Sequence, residues 1–394
     1  MKSISKFLFL AALVFSAYCC STKGDGSVRI VDVGSSKMAV LSLDELKSNV
    51  AKIPLSSLVD NCELVQLETR DEAFFKPWFT TVTENYIGIC PESGPFKLFS
   101  RSGKFLCDVG SIGQGPGEYV SPPYDAIIDD KNELIYMAPF GNSKILVYNT
   151  SGEFIKDFVA PFRLQKAKIF LSDNILTVVH MPFSTTKSMA LQFDINSGMV
   201  LKEAAPLEHL IVKNYDLDII NTRNAPEILD FSFMNCDTLY HFDVKSNTIN
   251  PAFKIAYKAS EKPWMVYFQI NKDLLFTNVS VLGKDPNYGG EKYIPRGTVA
   301  TDLESKTSSY ITIVNDYYGN LPLNVGYFTF IHGYYILNVQ PEELMENIEN
   351  RLAEKDCTEN DRQILKKTLS SLKENTNNLV FIGKLKKEIN AKLW

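Results

Sequence analysis

The chain has 394 residues, of which 45% are hydrophobic and 12% aromatic, a composition able to bury one large core. Its formal net charge of −5 excludes nucleic acid as the main partner. None of its cysteines is spaced Cys-x-x-Cys, which excludes a zinc or thiol-redox motif of that kind.

At the N-terminus, Lys2 and Lys6 precede the apolar run from Phe7 to Phe15, which meets Ser16-Ala-Tyr-Cys-Cys20. This is the anatomy of a secretory signal over residues 1–19, too short to span a bilayer. A cysteine directly after the apolar run, followed by the polar Ser21-Thr-Lys-Gly-Asp-Gly-Ser27, resembles the lipobox of bacterial lipoproteins. The peptidase needs a small residue before the modified cysteine, which favours Cys20 over Cys19. The expectation is a lipid on Cys20, a tether and lead-in over residues 20–51, and attachment to a membrane of the cell envelope, the outer membrane foremost. The remaining Cys62, Cys90, Cys107, Cys236 and Cys357 read as free, mostly buried thiols.

From residue 52 onward one turn recurs. It reads Phe99-Ser-Arg-Ser-Gly103, Tyr148-Asn-Thr-Ser-Gly152, Phe193-Asp-Ile-Asn-Ser-Gly198 and Phe242-Asp-Val-Lys-Ser-Asn247. The Gly or Asn positions lie 49, 46 and 49 residues apart. In each copy an aromatic closes a strand, polar residues turn the chain, and Gly or Asn accepts a positive φ. Hairpin repeats of roughly 40–50 residues are the signature of a β-propeller. The expected fold is therefore all-β, a six-bladed β-propeller over residues 52–394.

Blade one is expected over Phe79–Val109, blade two over Asp125–Phe158 and blade three over Lys166–Ala204. Blade four has clear strands at Glu227–Met234 and Thr238–Val244, with its innermost strand near Leu210. Blade five covers Val266–Val314. Blade six starts with Tyr327–Ile331 and Tyr334–Val339, then breaks at Pro341-Glu-Glu343, where proline and acids suit a helix start. Leu344, Ile348 and Leu352, then Leu365, Leu369 and Leu372, repeat at helical spacing, predicting an inserted helical hairpin over residues 341–375. Cys62–Leu67 has no blade of its own and should pair beside Leu379–Leu385, closing the ring and removing its open edges.

The loop Val109-Gly-Ser-Ile-Gly-Gln-Gly-Pro-Gly-Glu-Tyr119, Asn142-Ser-Lys-Ile145 and the late strand Leu379-Val-Phe-Ile-Gly-Lys-Leu385 resemble the six-bladed propeller lipoproteins common in Bacteroidota, whose blades look like NHL repeats. The resemblance spans roughly Ile53 to Lys386 and implies fold and envelope location, with little about activity.

No catalytic motif rises above background. The glycine-rich run from Gly110 to Gly117 lacks the ending of a phosphate loop and leads into no helix, so it reads as a structural connection. Some propellers are lactonases or lyases with a channel metal. Here Asp125, with Glu227 or Asp230 nearby and His180 near one mouth, are the residues from which a calcium site could be built, although a solvated channel carboxylate is the commoner outcome. No cofactor is otherwise expected. The stronger signal is a gathering of aromatics in the loops of one face, from which Trp78, Trp264, Tyr119, Tyr124, Phe140, Phe183 and Tyr317 are taken as candidate binding residues. Lys76-Pro-Trp78 and Lys262-Pro-Trp264 hold equivalent places in different blades. Such rings suit a glycan, a peptide or an envelope protein, unless each tucks under its own loop as a wedge. The favoured function is thus a lipid-anchored binding module. The alternatives are a metal-dependent channel enzyme of lactonase or lyase type and a structural subunit of an envelope complex.

Overall fold

The computed structural model describes residues 26–389 apart from 35, 184–185, 187, 214–216, 234–235, 259–262, 285–289 and 327. The signal over residues 1–19 and the lipid position Cys20 lie outside the described residues.

Six small antiparallel sheets stand in a ring, each running from an innermost to an outer strand. Blade 1 comprises Pro77–Val82, Tyr86–Pro91, Phe96–Ser100 and Phe105–Val109. Blade 2 comprises Pro123–Asp129, Leu134–Pro139, Lys144–Asn149 and Phe154–Val159. Blade 3 follows with Lys168–Ser172, Ile175–Val179, Ala190–Asp194 and Val200–Ala204. The repeated turn joins the third strand to the fourth, and Gly103, Gly152, Gly198 and Asn247 all have positive φ, between 59° and 88°. Its polar residues fold the chain locally: the carboxylate of Asp194 accepts from the N–H groups of Asn196 and Ser197, and that of Asp243 from Lys245 and Ser246. A fifth copy, at Asp302 to Lys306 in blade 5, carries lysine where glycine is usual, at φ 57°.

Blade 4 departs from expectation. The apolar stretch around Leu210 is a single 3-10 turn, Glu208–Leu210, whose leucine packs into the core between blades 3 and 4. The innermost strand is only Ile219–Ile220, followed by Leu229–Phe233, Thr238–Asp243 and Thr248–Ala256. Blade 5 is built from Pro263–Gln269, Leu274–Lys284, Glu291–Asp302 and Thr307–Asn315. Blade 6 takes Phe330–Ile331, Tyr334–Val339 and Leu379–Lys384, and its outer strand is Glu63–Gln66 from the other end of the chain. That pairing is antiparallel, with Val380 opposite Val65, and it closes the ring as the alternation in Cys62–Leu67 predicts.

The lead-in is more structured than its sequence suggests. Val28–Val33 and Ser36–Ser42 form a hairpin whose second strand lies parallel to the outer strand of blade 4, and Val50–Pro54 lies parallel to that of blade 5. Leu41 and Ile53 are fully buried. The N-terminal segment therefore adds two strands to blade 4 and then one each to blades 5 and 6.

The insertion forms helices α1 (Pro341–Ala353) and α2 (Glu359–Ser371). Thr358 and Asp361 make a reciprocal capping box at the start of α2. Leu344, Ile348 and Leu365 join the core that holds Ile53, Leu58 and Phe381, so the hairpin lies against its own ring. Gly319, at φ 64°, allows this approach, since a Cβ there would stand 2.6 Å from Leu365 Cγ. The five cysteines among the described residues are free thiols.

Candidate functional site

Because blade 4 contributes only two residues to the inner ring, the chain from Asn221 to Ile228 must satisfy its polar groups elsewhere. It does so across the channel. Arg223, at φ 55°, reaches blade 2 in a two-pronged pair with Asp125, at 2.8 and 2.9 Å, and donates to Ile169 O of blade 3 at 2.6 Å. The Asn224 amide donates to Gln269 O of blade 5 and Phe330 O of blade 6, both at 2.9 Å, and its carbonyl accepts from Gly333 N. Asp230 fixes the backbone of this plug by accepting from the N–H groups of Thr222 and Arg223.

Asp125 therefore does not stand as a solvated channel carboxylate or an open calcium ligand. Its side chain is 4% exposed and accepts from Arg223 and from Ile169 N. Asp230 is engaged by the plug, and Glu227 is exposed. His180 is a core residue beside Phe162, with no partner on either ring nitrogen, and burial lowers its pKa to about 4. Among the described residues no three His, Cys, Asp or Glu side chains are grouped to hold a metal ion.

The plug leaves a cavity at each end of the channel. At the end where inner strands begin, a cavity of about 200 Å³ is bounded by Trp78, Tyr124, Asn221 and Phe328. A neighbouring cleft of about 420 Å³ shares Trp78, Tyr124 and Asp218 and extends to Phe140 and Ser121. Trp78 meets Tyr124 edge-on at 5.3 Å between centroids, and Tyr124 meets Phe140 at 6.0 Å. The Tyr124 hydroxyl donates to Asp218, which also takes the Lys166 ammonium at 2.7 Å. Beneath the ring of Tyr124, at 4.8 Å, lies the Lys168 ammonium, whose pKa is lowered by burial. Two polar groups here are buried without a hydrogen-bond partner, Asn221 Nδ2 and Ser121 Oγ.

The sequence-derived aromatics thus separate. Trp78 and Phe140, at 37% and 44% exposed, flank the buried Tyr124 at this mouth. Tyr119 is buried, its hydroxyl accepting from Phe96 N and donating to Val109 O, so it anchors the glycine-rich loop. Phe183 is buried in the core between blades 3 and 4. Trp264 is, like Trp78, the second residue of an inner strand, but it packs on the core and meets Tyr293 at 4.9 Å, with Nε1 buried and unpartnered. Tyr317 donates toward the carbonyls of Val59 and Asp60, tying blade 5 to the N-terminal segment. The sequence reading did not single out Arg223, Asn221, Asp218 and Ser121. The one available signal was length: Asn221–Ile228 occupies a connection that takes two to four residues in the blades around it.

Among solved structures, a candidate exported protein from Bacteroides fragilis is similar at 15% identity and a TM-score of 0.52, over 86% of this chain and 100% of that one. A member of the DUF4221 family from Bacteroides vulgatus is similar at 13% identity and a TM-score of 0.46, over 84% and 98%. No curated protein matches the chain. A family profile described as Domain of unknown function (DUF4934) matches residues 38–384, and the chain belongs to that family.

Proposed function

We propose that this protein is a lipid-anchored propeller of the cell envelope that binds a glycan through the cleft formed by Trp78, Tyr124 and Phe140. The observation that carries this reading is the meeting of exposed ring surface with two buried polar groups that lack partners, Asn221 Nδ2 and Ser121 Oγ. A sugar ring presents an apolar face for stacking and hydroxyls for such groups. The signal-like residues 1–19 and Cys20 support export and anchoring, and the similar B. fragilis protein is itself described as an exported candidate. Descent from lipoproteins with NHL-like blades belongs to the same proposal. A metal-dependent channel enzyme is less well supported, because Arg223 engages the carboxylate such a site would use.

The test compares two variants. Trp78 is partly exposed, so Trp78→Ala should leave the melting temperature nearly unchanged while abolishing retention on immobilised envelope polysaccharide. Trp264 packs on the core, so Trp264→Ala should cost about 3–5 kcal/mol of stability. Unaltered retention by a folded Trp78→Ala variant would reject the aromatic cleft.

A further inference from the structure

The opposite end of the channel holds a second cavity, of about 440 Å³, bounded by the turns between first and second strands. Its walls are apolar, with Ile127, Ile128, Phe170, Pro226 and Leu229 contributing, and Arg223 and His332 also line it. A guanidinium has five N–H donors. Asp125 takes one from each terminal nitrogen, and Ile169 O takes a second from Nη1. This leaves Nε–H and one Nη2–H, which lie along the same side of the group and form a second fork. Nε is buried without a partner. His332 Nδ1 is bonded to the Thr81 hydroxyl, whereas its Nε2 is likewise buried and unpartnered. Burial, then the nearby Arg223 and Lys168 cations, keep that imidazole neutral.

The rim carboxylates, by contrast, are engaged. Glu84 pairs with Lys384, and Asp130 accepts from the Thr83 hydroxyl at 2.6 Å and from Asn85 N at 3.2 Å. The unmet donor Arg223 Nε–H and the unpartnered ring nitrogen His332 Nε2, a donor in the tautomer whose Nδ1 accepts from Thr81, therefore belong to residues lining the cavity, while the acceptors at its edge are met.

We propose that this cavity is a binding site for a small monocarboxylic acid with an apolar body, its carboxylate seated on the free fork of Arg223 beside His332 and its body against Ile128, Phe170 and Leu229. A planar carboxylate fits a two-pronged guanidinium edge, and the cavity is of the size that holds small ligands. The site is separate from the aromatic cleft, and it stands or falls independently of glycan binding.

The experiment is ligand-observed NMR titration of the full mature chain with phenylacetate and hexanoate, each against its primary amide. The acids should bind saturably and the amides at least about tenfold more weakly, for want of the charge-assisted pair. Ser172 is exposed at the edge of this cavity, so Ser172→Trp should occlude it without disturbing the core and abolish acid binding. His332→Asn, chosen because asparagine tolerates the φ of 57° there, should weaken binding, and Trp78→Ala should leave it unchanged. Absence of acid binding, equal binding of acids and amides, or full binding by Ser172→Trp would each overturn the proposal.

Discussion

Replacing Asp125 by alanine tests whether the plug holds the ring together. The change removes one half of a pair whose side chains are 4% and 9% exposed, leaving the Arg223 guanidinium uncompensated inside the channel. Breaking a buried pair from one side costs about 3–5 kcal/mol. Ile169 N also loses its acceptor, which by itself costs about 1–3 kcal/mol and places the total in the upper part of that range. With a urea slope of about 3 kcal/mol per molar, the unfolding midpoint should fall by more than about 1 M. Removing both charges, in Asp125→Leu with Arg223→Met, should recover much of the loss, because no unpaired charge then remains buried. Urea titrations followed by tryptophan fluorescence measure both. A single variant that unfolds with the native chain, or a double variant no better than the single one, would refute the assignment of this pair as the tie between blades 2, 3 and 4.

His180 gives a pH test: its pKa of about 4 lies below the ordinary value near 6.5, so its contribution is whole above pH 6.5 and is lost as pH falls toward 4, by about 3 kcal/mol. His180→Phe should remove that part of the acid sensitivity, seen as a smaller drop in denaturation midpoint between pH 7 and pH 4.5; an unchanged drop would show that His180 is not responsible. A truncation starting at Arg70 removes the outer strand of blade 6 and the strands added to blades 4 and 5, so it should lose cooperative melting, whereas a sharp native-like melt would show that closure contributes little. Cys20→Ala should release the protein from membrane fractions, and continued fractionation with membranes, with release by Cys19→Ala instead, would move the lipid to Cys19.

The fold was legible where the chain obeys a local rule. Turns such as Asp194–Gly198 fold through their own side chains and announce themselves at fixed spacing, and the same local chemistry marks α1 and α2. Blade 4 was misplaced at its inner strand because Leu210 is apolar for a different reason, packing under a loop, while the true strand is two residues long and carries no alternation to detect. Val28–Val33 alternates weakly and is exposed along most of its length, and the hairpin it forms with Ser36–Ser42 is placed by the pairing of Ser36–Ser42 with the distant strand Thr248–Ala256. The candidate sites were legible only in part. Trp78, Tyr124 and Phe140 were found because aromatics in loops stand out, but Tyr119 and Phe183 have the same signature and are anchors. Which rings face a mouth depends on contacts across blades, such as Tyr124 with Asp218, 94 residues away in sequence.

The plug also decides where function can reside. A channel lined by six full inner strands would be open along its axis, and its carboxylates would be free to meet solvent or a metal. Here blade 4 gives up most of its inner strand, and the released segment must find partners for its backbone and for Arg223 in a place that excludes water. Asp230 of blade 4 takes the backbone N–H groups of Thr222 and Arg223, and the Arg223 and Asn224 side chains find partners on four other blades, so most polar groups at mid-channel hold each other. Unmet hydrogen-bonding capacity is left at the two ends: Asn221 and Ser121 with the aromatic rings at one, Arg223 Nε and His332 Nε2 with the apolar walls at the other. The same eight-residue segment that fixes the ring thus separates two chemically different mouths. A ligand bound at either mouth rests on the plug, so substitutions such as Asp125→Ala that loosen it should weaken binding at both ends together, whereas Trp78→Ala and Ser172→Trp should act at one end only.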